Sequence, residues 1–220
     1  MLGIIRVITL PDRRDAELHG DLIRQKYGLD VRSACIPDQP SGVYDEQTER
    51  LAVPKIIALA KRLADEGCTV IGISCAADPA LEECRQALPV PVLGAGSCAA
   101  HLSLTQSTRV GVLTILQETP PLIRSILGEA YVSMDRPEGV TTTLDLRTDQ
   151  GREAAFEAAQ RLARRGATSI VLACTGFATI GFAAELKQRH GLTAFDPIDS
   201  LGAAAVMAER PNNGFSSFQH

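Results

Sequence analysis

The chain has 220 residues and no apolar run approaching the roughly 20 residues that a membrane-crossing helix needs. No basic region precedes its first apolar stretch, MLGIIRVITLPDRR, so the N-terminus reads as a first strand rather than a signal peptide. No basic patch occurs either. Acidic and basic residues are interspersed and the net charge is −4, which counts against a nucleic-acid surface. CxxC is absent, and Cys35, Cys68, Cys75, Cys84, Cys98 and Cys174 match no zinc spacing. GxGxxG is absent as well: Gly94-Ala95-Gly96 supplies its first two glycines only, and there is no GxxxxGK[ST]. Lysines are few, and none sits at a buried strand end suited to a Schiff base. His19, His101, His190 and His220 fall in helices or the tail without ligand-like spacing. The expectation is therefore a protein with no metal and no organic cofactor, not bound to nucleic acid or membrane. Its thiols are expected to be reduced, in the cytoplasm.

What is present is a regular alternation of strand and helix signals. Ile4 to Thr9 is an apolar, β-branched run. Asp12 can cap a helix that Gly28 ends, and Leu29 to Ile36 is a second strand. After a Pro/Gly-rich loop, Pro37 to Tyr44, a long helix spans Asp45 to Glu66. Thr69 to Ser74 is nearly continuous in apolar residues, the pattern of a parallel strand covered on both faces. Asp78-Pro79 reads as the cap and first-turn proline of the next helix. Val90 to Leu93 is a fourth strand, and Ala95 to Gln106 a helix. The order then recurs: strand Arg109 to Leu113, helix Glu118 to Ala130, and a poorly signalled region from Tyr131 to Leu146. Helix Gly151 to Arg165, strand Ser169 to Ala173, helix Phe177 to Arg189, strand Thr193 to Asp196 and helix Ser200 to Glu209 follow. The tail after Pro211 reads as disordered.

The recurrence is sharpest in two segments. Lys61 to Cys75 reads KRLADEGCTVIGISC, and Gln160 to Cys174 reads QRLARRGATSIVLAC. At a constant offset, 7 of the 15 positions coincide. Most of these coincidences are ordinary helix–glycine–strand chemistry; the last is not. Both segments end in a cysteine at the carboxyl end of a buried strand, the edge where open parallel sheets bind ligands. Taken singly, each cysteine could be a small apolar filler, and Cys35, Cys68, Cys84 and Cys98 are read that way. As a related pair, Cys75 and Cys174 would face each other across a cleft between two similar halves. One thiolate could then remove a proton from a carbon centre while the other thiol returns one from the opposite face. A helix N-terminus after each cysteine would lower its pKa and supply N–H groups to an enolate oxygen. Asp78 would oppose this for Cys75, and is read as a helix cap, with an orienting catalytic role as the alternative.

Three segments, IRVITLPD, ISCAADPAL and LACTGFATIG, with the approach GVYDEQTERLAVP, resemble the hydantoin racemase family of the aspartate/glutamate racemase superfamily. The resemblance covers nearly the whole chain. It implies an α/β protein of two Rossmann-like lobes with parallel four-stranded sheets, pseudo-twofold related, with the active site in the cleft between them. The first lobe would comprise residues 1–97 plus 200–220, and the second 98–199. It implies a cofactor-independent racemase with Cys75 and Cys174 as acid and base. Substrate contacts fall at Pro11, Ala76, Thr114, Thr175 and Gly176. The expected partners are a small-molecule substrate and further copies of the chain in a homo-oligomer. There are departures. Ala76-Ala77 stands where many hydantoin racemases carry an aromatic residue and a glycine. Thr175-Gly176-Phe177 lacks the histidine of glutamate racemases, and no Cys-Asn-Thr run follows Cys75. Keeping both cysteines separates the chain from decarboxylases of the arylmalonate type. The leading expectation is racemisation of a 5-substituted hydantoin or a cyclic ureide such as allantoin. The alternatives are an amino-acid racemase and a non-catalytic binding protein of the same fold.

Overall fold

The computed structural model describes residues 1–209. The first strand lies earlier than the expected Ile4 to Thr9: β1 spans Leu2–Arg6, buried throughout. Asp12 caps α1 (Arg13–Tyr27) by accepting from the Arg14 and Asp15 N–H groups, and Gly28, at φ 68°, ends it. β2 (Val31–Cys35) precedes α2 (Glu46–Asp65), which opens with a reciprocal cap between Asp45 and Thr48. β3 (Val70–Ser74), α3 (Leu81–Ala87) and β4 (Val92–Gly94) follow. Beyond α4 (Ala95–Leu104) come β5 (Val110–Leu113), α5 (Pro121–Leu127), β6 (Tyr131–Asp135) and α6 (Asp149–Arg164). β7 (Ser169–Leu172), α7 (Gly176–Thr179), α8 (Phe182–His190), β8 (Thr193–Phe195) and α9 (Pro197–Glu209) complete the order.

The strands make two four-stranded sheets of identical topology, β2-β1-β3-β4 and β6-β5-β7-β8. Every pairing is parallel. β3 and β7 occupy the same interior place in their sheets, and every residue of both is buried. That is why they read as unbroken apolar runs. The halves exchange helices. α4 leaves the first sheet, yet its Ala99 and Ala100 pack with Val110, Val112, Val171 and Phe195 of the second. α9 leaves the second sheet, yet its Leu201 and Ala205 pack with Leu2, Ile4 and Val70 of the first. Ala178 of α7 joins that same cluster. The two sheets are thus locked by shared apolar surface rather than by a linker alone. Among the described residues no helix is long and apolar enough to cross a membrane.

Several expected elements differ. Asp78 does not cap α3. That helix starts at Leu81 behind Ala80, itself at φ 58°, and has no side-chain cap. The Asp78 carboxylate instead accepts from Gly96 N (2.9 Å) and Ser97 N (2.6 Å), capping α4 after the neighbouring strand. The single helix expected from Phe177 to Arg189 is two, α7 and α8, separated at Gly181, which takes φ 65°. The helix expected over Glu118 to Ala130 is shorter, because Pro120-Pro121 delays its start and Gly128, at φ 49°, ends its α-helical part. The tail after Pro211 lies outside the described residues.

Candidate active site

β3 delivers Cys75 directly after Ser74, and β7 delivers Cys174 after Ala173, at equivalent strand ends. Cys75 is half-buried and packs against the core of the first sheet. Cys174 is 9% exposed and belongs to the core of the second. The charge of an ionised Cys174 is among the causes that raise the Cys75 pKa. All six cysteines are free.

Neither thiol is acidified, against the expectation from a following helix. Burial pushes Cys75 up to about 12, aided by the charges of Asp78, Cys174 and Glu49, with only the Ala77 N–H opposing. Burial also pushes Cys174 up to about 11, aided by Asp196 and opposed by the Gly176 N–H, which lies 3.4 Å from the sulfur. The physical reason is plain: α3 begins only at Leu81, and α7 is a single turn. The N–H groups that reach the sulfurs belong to short turns, and desolvation outweighs them.

Each sulfur has a buried carboxyl nearby. Asp78 lies on the Cys75 side and Asp196 on the Cys174 side, and burial raises each to about 6. Each also caps the helix that follows its sheet's last strand. Asp78 holds the start of α4, and Asp196 accepts from the Ile198 and Asp199 N–H groups at the start of α9.

The other expected contact residues divide. Ala76 is buried against Gly96: a Cβ on that glycine would lie 2.0 Å from the Ala76 carbonyl oxygen. Thr114 is fully buried, and its hydroxyl donates to the Ala173 carbonyl at 3.3 Å, just before Cys174. Thr175 and Gly176 form the turn after Cys174, and Gly176 is overlaid by Thr143 and Leu146. Pro11 is exposed ahead of the Asp12 cap. None of the hydrogen bonds among the described residues joins it to the other four. Two cavities, of about 530 and 300 Å³, are lined by other residues. The larger lies between α1, α8 and the start of α9, and the smaller among α3, α4 and α5. Among the described residues no group of three His, Cys, Asp or Glu side chains stands close enough to hold a metal ion.

The sequence model of the Asp/Glu/Hydantoin racemase family matches residues 16–207. The chain belongs to that family. It is similar to a hydantoin racemase of Pseudomonas sp. (strain NS671), 26% identical over 168 residues, 72% of this chain and 66% of that protein. A hydantoin racemase of Rhizobium meliloti is 27% identical over 181 residues, 78% of this chain and 72% of that protein. The fold is similar to that of an allantoin racemase from Klebsiella pneumoniae, with a TM-score of 0.81 at 20% identity. That superposition covers 94% of this chain and 86% of the other.

In this racemase-family chain, four residues near the thiols carry contacts the sequence did not signal. His19, on α1, is 1% exposed and places Nδ1 2.7 Å from Ser74 Oγ and Nε2 3.2 Å from Thr179 Oγ1. Gly96 looked like a fragment of a nucleotide motif; it is small because the Ala76 carbonyl presses on it. Thr143 and Leu146 come from the poorly signalled region and cover Gly176.

Proposed function

We propose that this chain interconverts the enantiomers of a 5-substituted hydantoin, or of a related cyclic ureide of the allantoin type, by proton transfer between Cys75 and Cys174 without a cofactor. The observation that carries the reading is the equivalent placement of two thiols, one at the end of the third strand in the order of each sheet. The curated relatives named hydantoin racemases support the substrate class. In such a ring the C5–H bond lies between a carbonyl and an amide nitrogen. One thiolate takes the C5 proton, and the bonding pair moves into the C4 carbonyl as an enolate. The opposite thiol then gives its proton to the other face of C5, the enolate collapses to the carbonyl, and the two sulfurs have exchanged protonation states. The N–H groups of Ala77 and Gly176, which already reach the sulfurs, favour whichever thiol is ionised. Lobes of residues 1–97 plus 200–220 and 98–199, a homo-oligomeric state and a reduced cytoplasmic setting belong to the same proposal.

Two measurements test it. Polarimetry with deuterium incorporation over chiral hydantoins, allantoin and amino acids should show loss of rotation, with one solvent deuteron gained, for a cyclic ureide. Loss of rotation with free amino acids alone would overturn the substrate class.

The second is the pH profile. One sulfur must be ionised, and both thiols titrate well above their ordinary value. The kcat/KM of the free enzyme should therefore climb by about tenfold per pH unit from neutrality and level off only above about pH 9. A rising limb that is complete at neutral pH would show that neither raised thiol is the base.

A further inference from the structure

Besides packing on the first sheet, α1 meets the second half of the molecule through several side chains, Tyr27 and Lys26 on Asp199 among them, and two of these contacts lie one helical turn apart. Asp15 accepts from Arg147 Nη2 at 3.2 Å, and His19 stands between Ser74 and Thr179. The contacts differ in weight. Asp15 and Arg147 are both about half exposed, and an exposed ion pair contributes little. His19 is 1% exposed, and its ring meets a hydroxyl at each nitrogen. Those hydroxyls belong to the two thiol turns: Ser74 is the residue before Cys75, and Thr179 ends the helix that Gly176 opens after Cys174.

The helix that carries His19 is itself fixed. Arg6, at the end of β1, donates to the carbonyls of Asp15 (2.7 Å) and Ala16 (3.3 Å). A Cβ on Gly20 would lie 2.2 Å from Ser33 Oγ, so α1 rests directly on β2. The imidazole, buried and beside Arg6 and Arg147, is held well below its ordinary pKa and stays neutral. A neutral ring has one N–H, so it donates to one hydroxyl and accepts from the other. That gives a directed chain, Ser74–His19–Thr179, across the junction of the two sheets.

We propose that His19 is a positioning residue that sets the separation and facing of the Cys75 and Cys174 turns by bridging Ser74 and Thr179. The inference rests on the two-thiol reading. It matters because proton transfer from both faces of one carbon tolerates little error: a misplacement of about 1 Å can cost about 10²-fold.

The test uses the full chain with a cyclic ureide substrate. His19→Leu removes both hydrogen bonds, and Thr179→Val removes only the far one and keeps the side-chain shape. His19→Leu should lower kcat by about 10²-fold and Thr179→Val by about 10-fold, with KM changed less than kcat in each. His19→Gln, whose amide can reach Thr179, should recover part of the loss. The decisive readout is the ratio of racemisation to deuterium exchange with retention. When the opposite thiol is out of place, the enolate is reprotonated by the sulfur that formed it, so the ratio should fall in His19→Leu and Thr179→Val. A merely destabilised protein would lose both processes equally. An unchanged ratio, with racemisation still dependent on both thiols, would overturn the role of His19 alone. Racemisation that survives in a Cys75→Ala, Cys174→Ala double variant would overturn the two-thiol reading and this inference with it.

Discussion

Removing one thiol at a time should divide the reaction in two. Cys75→Ala and Cys174→Ala should each lower racemisation by about 10²–10⁴-fold, the range for loss of a positioned acid or base. Each single variant keeps one sulfur, which under the proposed two-base mechanism faces the C–H bond of one enantiomer only. Deuterium should therefore still enter one enantiomer, with retention of configuration, and the enantiomer that exchanges should switch between the two variants. The double variant should lose exchange from both. Chiral chromatography with mass detection reads all of these outcomes in one experiment. Exchange of both enantiomers in a single variant would mean that one sulfur reaches both faces, contrary to the two-base mechanism. The effect on folding should be modest, since each change removes one sulfur atom and Cys75 is only half-buried. Thermal unfolding of the variants separates lost chemistry from lost structure.

The features that could be read in advance are those with a local cause. β3 and β7 are buried on both faces, so they had to be apolar and nearly continuous, and Gly67 and Gly166, both at φ 93°, punctuate them in the same place. The repeat ending in Cys75 and Cys174 follows from that shared helix–glycine–strand unit. Features with a distant cause could not be read. Asp78 has the chemistry of a cap, but its partners lie 18 and 19 residues on, at the start of α4 rather than α3. His19 meets side chains 55 and 160 residues away, and no pattern along α1 announces them. The break at Gly181 interrupts what reads as one amphipathic helix, because a left-handed residue leaves no mark on apolar spacing. The raised thiols have the same origin. A helix after a cysteine can be guessed from sequence, but the burial that overrides it depends on how two sheets close together.

Gly96→Ala, which adds a single methyl group, should damage both stability and turnover. A methyl group there would lie 2.0 Å from the Ala76 carbonyl oxygen and 2.8 Å from its carbon, and these are backbone atoms that cannot rotate away. Either α4 retreats, which breaks the Asp78 cap on Gly96 and Ser97, or the Cys75–Ala77 turn is pushed off its position. The expected cost is about 1–3 kcal/mol in stability, with a fall of about 10²-fold in kcat from displacement of Cys75. Asp78→Asn separates the two routes. It leaves the turn uncrowded but weakens the cap and removes a charge that raises the Cys75 pKa. Its pH–rate profile should therefore shift to lower pH, while that of Gly96→Ala keeps its position and drops in height. If the Asp78→Asn profile does not move, the ionisation that limits the rate is not that of Cys75. If Gly96→Ala retains full activity, the Ala76 carbonyl can yield without moving the sulfur beside it.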